Sequence, residues 1–282
     1  LKQYNNITII GIGLLGGSMA LALRKITGAQ IFGRDFNEKH QQRAIKLGII
    51  DAVANEETIK ETDLIVVAVP VNKIAEVSAQ LLHQIKKEAF IFDVGSIKGS
   101  ICKALKNHPK REQFIAVHPI AGTEFSGPDA AFETLFEGKK NIICDAKLSR
   151  KDLLEKALDL FNAMNMKTDF MKSKDHDKHI AYVSHLSHIS SFMLGKTVME
   201  IEKDEKNIFN MAGSGFESTV RLAKSSPDTW TPIFIENKQS ILKSLDEYMK
   251  NLKEFADLIA NDNFDQLYET MRKTNHIQDI LK

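Results

Sequence analysis

The sequence predicts an α/β protein in which a doubly wound, mostly parallel sheet precedes an all-helical domain. Three observations carry this expectation. An apolar, β-branched run ends in Gly11-x-Gly13-x-x-Gly16 and continues into a helix-like stretch from Ser18. Short β-rich runs then alternate with helical spacing up to about residue 172, as parallel strands joined by crossover helices require. From about Ser173 onward the β-rich runs stop.

The strands are expected at residues 7–11, 30–33, 64–69, 90–94, 114–118, 141–144 and 167–170. Several are apolar without alternation, the pattern of strands covered by helices on both faces. Helical spacing marks residues 37–47, 71–85, 98–106 and 150–164 between them. Residues 175–200 read as one long helix, with Ser173 or Asp175 available as its cap. A second helix is expected near Gly215, and a third from Ser226, where Pro227 suits the first turn. In that third helix Ile241, Leu245, Tyr248, Leu252, Phe255 and Ile259 recur at intervals of four and three. Such a stripe packs either inside the chain or against a second copy. A small domain of few long helices struggles to bury itself alone, which favours a homodimer seam. The expected division is residues 1–172 as a Rossmann-type dinucleotide-binding domain and 173–282 as a helical substrate-binding and dimerisation domain.

Composition bounds the function class. The 282 residues suggest about two domains, and 38 Lys and Arg nearly balance 37 Asp and Glu. No overall field therefore favours nucleic acid or an anionic membrane. No apolar run approaches the roughly 20 residues of a membrane span, and no leader or address signal is evident at either end. Cys102 and Cys144 form no metal or redox spacing, so reduced thiols in a cytoplasmic protein are expected.

The glycine motif is weak alone and gains weight from its context: strand before, helix after, and Asp35 about twenty positions on. Gly11 permits the tight turn, Gly13 lets the backbone approach a pyrophosphate, and Gly16 lets the helix pack closely on the sheet. Candidate cofactor contacts are Gly11, Gly13, Leu14, Leu15, Gly16, Arg34, Asp35, Val69 and Pro70. Asp35 suits an unmodified ribose and would repel a 2′-phosphate, so NAD is expected over NADP. Arg34 is the complication, since it could pair with that phosphate.

Reacting groups are expected on loops at the carboxyl ends of the strands. Ser96 follows the strand at 90–94; its hydroxyl faces a nicotinamide or simply caps the next helix. His118 ends an apolar strand, and its ordinary pKa near 6.5 suits a general base. Arg221 follows a glycine-rich turn, and its planar fork suits a substrate carboxylate as readily as a surface position. His176, His179, His185 and His188 invite a metal reading. They lack the H-E-x-x-H spacing and a completing ligand, so no metal is expected.

Taken together, the segments 11–18 (GIGLLGGS), 93–99 (DVGSIKG), 118–127 (HPIAGTEFSG), 184–188 (SHLSH), 213–223 (GSGFESTVRLA) and 226–230 (SPDTW) resemble the prephenate dehydrogenase family, which includes arogenate dehydrogenases. The resemblance implies NAD-dependent oxidation of prephenate to 4-hydroxyphenylpyruvate with loss of carbon dioxide. It implies that His118 takes the ring hydroxyl's proton, that Ser96 bonds that hydroxyl and holds His118, and that Arg221 clamps a carboxylate. His188 would bind substrate nearby. Thr123 and Glu124 would sit at the site mouth, Glu124 in a gating ion pair, and Trp230 would lie near the site, supplied by a partner subunit. Ser187 and Glu217-Ser218 depart from residues that some members carry, which touches substrate recognition and not the reaction type. The alternatives are arogenate as substrate, another two-domain dehydrogenase acting on a hydroxy acid or an imine, and a nucleotide-sensing regulator. The last needs a DNA-binding or effector module that the sequence does not display.

Overall fold

A computed structural model describes residues 4–205 and 207–281. Eight strands form one sheet: β1 (Asn6–Ile10), β2 (Gln30–Arg34), β3 (Ala52–Val53), β4 (Leu64–Val67), β5 (Phe90–Asp93), β6 (Phe114–Pro119), β7 (Lys140–Cys144) and β8 (Lys167–Met171). Their order is β3-β2-β1-β4-β5-β6-β7-β8. The first six pair in parallel, β7 runs antiparallel to β6, and β8 is parallel to β7. The seven strands read from the sequence are all present. The two-residue β3 is too short to show a pattern and was not expected.

The helices of this half are α1 (Leu14–Thr27), α2 (Glu38–Lys46), α3 (Glu56–Glu61), α4 (Val71–Gln84), α5 (Gly99–Leu105) and α6 (Lys151–Ala163). They cover both faces of the sheet, which explains the unbroken apolar strands. Ile7 and Ile9 face one buried cluster with Phe92 and Phe161, while Ile65 and Val67 face another with Ile74 and Ile101. Each such side chain, fully buried, contributes about 1.5–3 kcal/mol. The strand order reverses between β1 and β4, and a doubly wound sheet opens its ligand crevice at that point.

Beyond the sheet lie α7 (Ser173–Ile180), a π-helical turn (Ala181–His185), α8 (Leu186–Ile201), α9 (Ser214–Val220) and α10 (Pro227–Glu236). The helix expected over 175–200 is thus a continuous helical run whose middle is widened by the π turn. Neither Ser173 nor Asp175 caps it: Lys172 holds that position without a side-chain bond. The Asp145 carboxylate does the capping instead, accepting from Ser173 N at 3.0 Å and from the Ser173 hydroxyl at 2.6 Å. The third helix is likewise not continuous, because α10 ends at Glu236 and α11 (Lys238–Ala260) begins after Asn237. In α10, Ile233 is buried against the α4 side of the sheet, with Trp230 and Phe234 beside it.

The chain divides into two compact units, Leu1–Asn237 and Lys238–Lys282. The second holds α11, α12 (Phe264–Thr274) and α13 (Ile277–Ile280). Ile241 at the start of its apolar stripe is buried and Leu245 and Tyr248 are half-buried, whereas Leu252, Phe255 and Ile259 are exposed, as are Phe264, Tyr268 and Met271 of α12.

Candidate active site

The turn after β1 is built for an anion. Gly11 has φ +92°, and a Cβ there would stand 2.5 Å from the Ala68 carbonyl oxygen at the end of β4. A Cβ on Gly16 would meet the Gly11 carbonyl oxygen at 1.9 Å, so only glycine lets α1 approach the strand this closely. Gly13 differs, since a Cβ there would point into open space. No side chain caps α1 and no acid occupies its first turn, so the amides at its start remain available. The Leu14 side chain is buried in the core and Leu15 packs beside it, leaving their backbone N–H groups as what they can offer a phosphate. Val69 and Pro70 follow β4 across the crevice, half-buried and exposed respectively.

Asp35 ties the second strand to this turn. One carboxylate oxygen accepts from Ile12 N at 2.7 Å and the other from Asn37 N at 2.9 Å. His40 Nδ1 lies 3.7 Å from that second oxygen, and the Asp35 side chain is 6 % exposed. Arg34, next to it, is exposed. An open cradle of amides at a helix start and an anchored acid at the tip of β2 fit a dinucleotide.

His118 sits near the end of β6 and is 8 % exposed. Burial, with His176, Lys98 and His185 nearby, holds its imidazole well below the ordinary histidine value, so it is neutral at pH 7. Its Nδ1 lies 2.8 Å from His176 Nε2, and His176 Nδ1 lies 2.8 Å from Asp177 Oδ1.

The backbone beneath His118 is held in an unusual way. β5 pairs with β6 through Ile91↔Phe114 and Phe92↔Ile115, and beyond that the strands part. Side chains then replace the missing strand for Val117. Its N–H donates to Asp93 at 3.2 Å, and its carbonyl accepts from Lys98 Nζ at 2.7 Å. Lys98 also pairs with Asp93, and both side chains are fully buried. Burial pushes the Asp93 carboxyl up, against the pull of Lys98 and of the Gly95 and Val117 amides. Removing either partner would strand a buried charge at a cost of about 3–5 kcal/mol.

Ser96 is half-buried and makes no hydrogen bond among the described residues. It is not a helix cap, because α5 starts at Gly99 and its first amides are bonded by Asp177. The bond that holds His118 comes from His176.

A run of contacts leads from His118 to the other candidates. Asn237 Nδ2 donates to the Asp177 carbonyl at 2.7 Å and lies 3.3 Å from His185 Nδ1. Burial pushes His185 down to about 4, although Asp177 pulls the other way. Trp230 meets His185 edge-on and stacks on His188, with ring centroids 3.4 Å apart. This tryptophan therefore stacks on His188 of its own chain. His188 Nδ1 donates to the Ser184 carbonyl at 3.0 Å, which leaves Nε2 free to accept. Burial, aided by Arg221, lowers its pKa. Arg221 in turn lies 3.8 Å from Glu124, on the loop that follows His118. On that loop the Thr123 hydroxyl accepts from Phe125 N at 3.2 Å. Contacts thus run from His118 through His176, Asp177, Asn237 and His185 to Trp230 and His188, while Arg221 pairs with Glu124 on the loop after His118.

Sequence reasoning missed Asp93, Lys98, His176, Asp177, His185 and Asn237 as members of this network. A readable signal existed in residues 93–98, where an acid and a lysine flank a stretch otherwise fit for the interior.

The prephenate dehydrogenase nucleotide-binding domain matches residues 19–169, and the prephenate dehydrogenase dimerization domain matches residues 172–273. The fold and site thus define a dehydrogenase with a nucleotide-binding domain and a helical partner domain. The prephenate dehydrogenase of Bacillus subtilis is 31% identical, over 99% of this chain and 77% of that protein. The cyclohexadienyl dehydrogenase of Zymomonas mobilis is 29% identical, over 99% of this chain and 97% of that protein. The crystal structure of prephenate dehydrogenase from A. aeolicus, in complex with hydroxyphenyl propionate and NAD+, superposes with a TM-score of 0.91 at 30% identity, covering 99% of this chain and 98% of that one. This chain belongs to the prephenate dehydrogenase family.

Proposed function

We propose that the protein oxidises prephenate to 4-hydroxyphenylpyruvate and carbon dioxide, with NAD as the oxidant. The observation that carries this reading is His118, a buried imidazole kept neutral at a strand end, whose following loop carries Glu124 to its pairing with Arg221. Bound NAD would accept the hydride from the ring carbinol carbon. His118 takes the hydroxyl proton as that hydride leaves, which general-base catalysis by histidine supplies at about 10²–10⁴-fold. The Ser96 hydroxyl, without a partner of its own, bonds the same oxygen. Arg221 binds a substrate carboxylate through its planar fork, and His188 Nε2 accepts from the substrate nearby. Thr123 and Glu124 border the entrance, and the Trp230 ring forms an apolar wall. Departure of carbon dioxide makes the ring aromatic and draws the reaction forward, so the protein mainly aligns the carbinol and holds the proton.

NAD is favoured over NADP because the Asp35 carboxylate after β2 suits an unmodified ribose and would repel a 2′-phosphate. The cofactor contacts are the backbone at Gly11, Gly13, Leu14, Leu15 and Gly16, with Asp35, Arg34, Val69 and Pro70 around the crevice. Residues 1–172 form the nucleotide-binding domain, and 173–282 the substrate-binding and dimerisation domain. A homodimer is supported by the exposed stripe of α11 and by the match to a dimerization domain. No helix among the described residues is long and apolar enough to cross a membrane, and we place the enzyme in the cytoplasm.

The deciding experiment is the appearance of reduced cofactor at 340 nm with prephenate and, separately, with arogenate. Faster turnover of prephenate supports the reading. A kcat/KM higher for arogenate, or no reduction with either, rejects it.

A further inference from the structure

We propose that Asp177 and His176 are positioning residues that fix the tautomer of His118, so that its Nε2 is the bare nitrogen offered to substrate. The proposal rests on His118 as the proton acceptor, and it names which nitrogen acts and what makes it so.

Asp177 Oδ1 accepts from Lys98 N at 2.8 Å and Oδ2 from Gly99 N at 2.7 Å. Two amides at a helix start thus bond its two oxygens, one each. The sequence leaves room for it, since a Cβ on Gly99 would stand 2.6 Å from Asp177 Oδ2. An ionised carboxylate can only accept, so His176 Nδ1 carries the proton in their 2.8 Å bond. Neutral His176 then has a bare Nε2, which accepts from His118 Nδ1 at 2.8 Å. His118 is thereby left with a bare Nε2. No other group bonds the His118 ring among the described residues.

Each link is buried. His176 is 2 % exposed and Asp177 8 %, so water does not compete for these bonds. The charged or titratable neighbours are Lys98 and Asp93 from the β5 side and His185 from the π turn. Lys98 is already bound to Asp93 and Val117, which leaves Asp177 as the anion paired with His176.

The proton balance is simple. The substrate hydroxyl gives its proton to His118 Nε2. His118 becomes an imidazolium and keeps its Nδ1 proton in the bond to His176, and the Asp177 charge stabilises the cation through His176. No proton passes beyond His118. A second proton on His176 would reverse the bond between the rings and place a proton on His118 Nε2, so the relay also requires His176 to stay neutral.

The test uses the full-length chain with ¹⁵N-labelled histidine, as wild type, His176→Gln and His176→Leu. Nitrogen NMR without substrate reads the His118 tautomer, with resonances assigned through His118→Asn. The wild type is expected to show a protonated Nδ1 and a bare Nε2. Glutamine can accept the same proton through its side-chain carbonyl and should keep both the tautomer and kcat within about fivefold of wild type. Leucine cannot accept it; kcat should fall about 10- to 100-fold while KM for cofactor changes less than about twofold. The acidic limb of the leucine variant should also move to lower pH, because the imidazolium loses its acceptor. A protonated Nε2 in the wild type overturns the proposal, as does a folded leucine variant with unchanged kcat and pH profile. Should the leucine variant fail to fold, the wild-type tautomer and the glutamine variant decide. The correct tautomer in an enzyme inactive on prephenate supports the relay and rejects the substrate assignment alone.

Discussion

Arg221 and Glu124 face each other at 3.8 Å across the entrance to the site, one from the residues following α9 and the other from the loop after β6. The pair is half open to water, so it contributes little to stability. In the proposed function it matters, because Glu124 would occupy the guanidinium that binds a substrate carboxylate. Glu124→Gln should therefore lower the substrate KM while leaving the melting temperature unchanged. Arg221→Ala should raise that KM about 10- to 100-fold, the loss of about 1.5–3 kcal/mol from a hydrogen bond to a charged group. Cofactor affinity should barely move in either variant, as titration of cofactor fluorescence would show. Normal substrate KM with lost cofactor binding in Arg221→Ala would reassign the arginine.

His118→Asn places an amide where Nδ1 now lies, so the bond to His176 is kept while the proton acceptor is lost. We expect kcat to drop about 10²–10⁴-fold with cofactor binding intact. In the proposed mechanism only the neutral imidazole works, and burial holds its pKa well below 6.5. The acidic limb of kcat/KM in the wild type should thus lie well under pH 6.5 and be absent from the asparagine variant. An active variant that keeps the limb would make another group the base.

Stability should fall on mild acidification. In the unfolded chain a histidine takes up its proton near pH 6.5, whereas buried His185 waits until about 4. Between these values the unfolded state binds more protons, so stability present above about 6.5 is lost as pH falls, by up to about 3 kcal/mol. His118 acts in the same direction. Urea unfolding between pH 7 and pH 4 measures the slope, which should be shallower in His185→Gln. A flat profile in the wild type would mean that this ring is not buried neutral.

Asp35 should make NAD the better cofactor by at least about tenfold in kcat/KM, equivalent to 1.4 kcal/mol. Because Asp35 also holds Ile12 N, Asp35→Ser should weaken NAD and narrow the ratio together. A wild-type enzyme faster with NADP would show that Arg34, not Asp35, governs the ribose.

The stripe on α11 should seal a symmetric dimer. Leu252 is 51 % exposed in the single chain, and aspartate there would place an unpaired charge in the seam. Sedimentation should give a dimer for the wild type and a shift toward the 31.7 kDa monomer for Leu252→Asp. A wild-type monomer at micromolar concentration would refute the seam.

What could be read from the sequence was what is encoded locally. Ile7 to Gly16 declare a strand, a turn and a helix start within ten residues, and Asp35 follows at the spacing of one strand–helix–strand unit. His118 was readable because an apolar strand points to it. The rest depends on partners distant in the chain. Asn237 interrupts what looks like one helix, and its amide bonds Asp177 and His185, 60 and 52 positions away. Ser96 looks like a cap because serine favours that role, yet Asp177 caps α5 from 78 residues on. His176 looked like one of several helical histidines, and only the fold brings it to His118.

The two borrowed caps have a further consequence, for how the chain acquires its structure. Asp145 closes the start of α7, and Asp177, within α7, closes the start of α5. Each half therefore lends the other a carboxylate, and neither half is complete alone. A nascent chain could assemble the glycine turn and most of the sheet early, but α5 and the imidazole at the end of β6 would wait for residues 176 and 177 to leave the ribosome. The boundary between sheet and helices is thus a boundary in architecture and not in folding. A fragment ending near residue 172 would retain a nucleotide cradle and have an unset base, while a chain carried only a few residues further could set both.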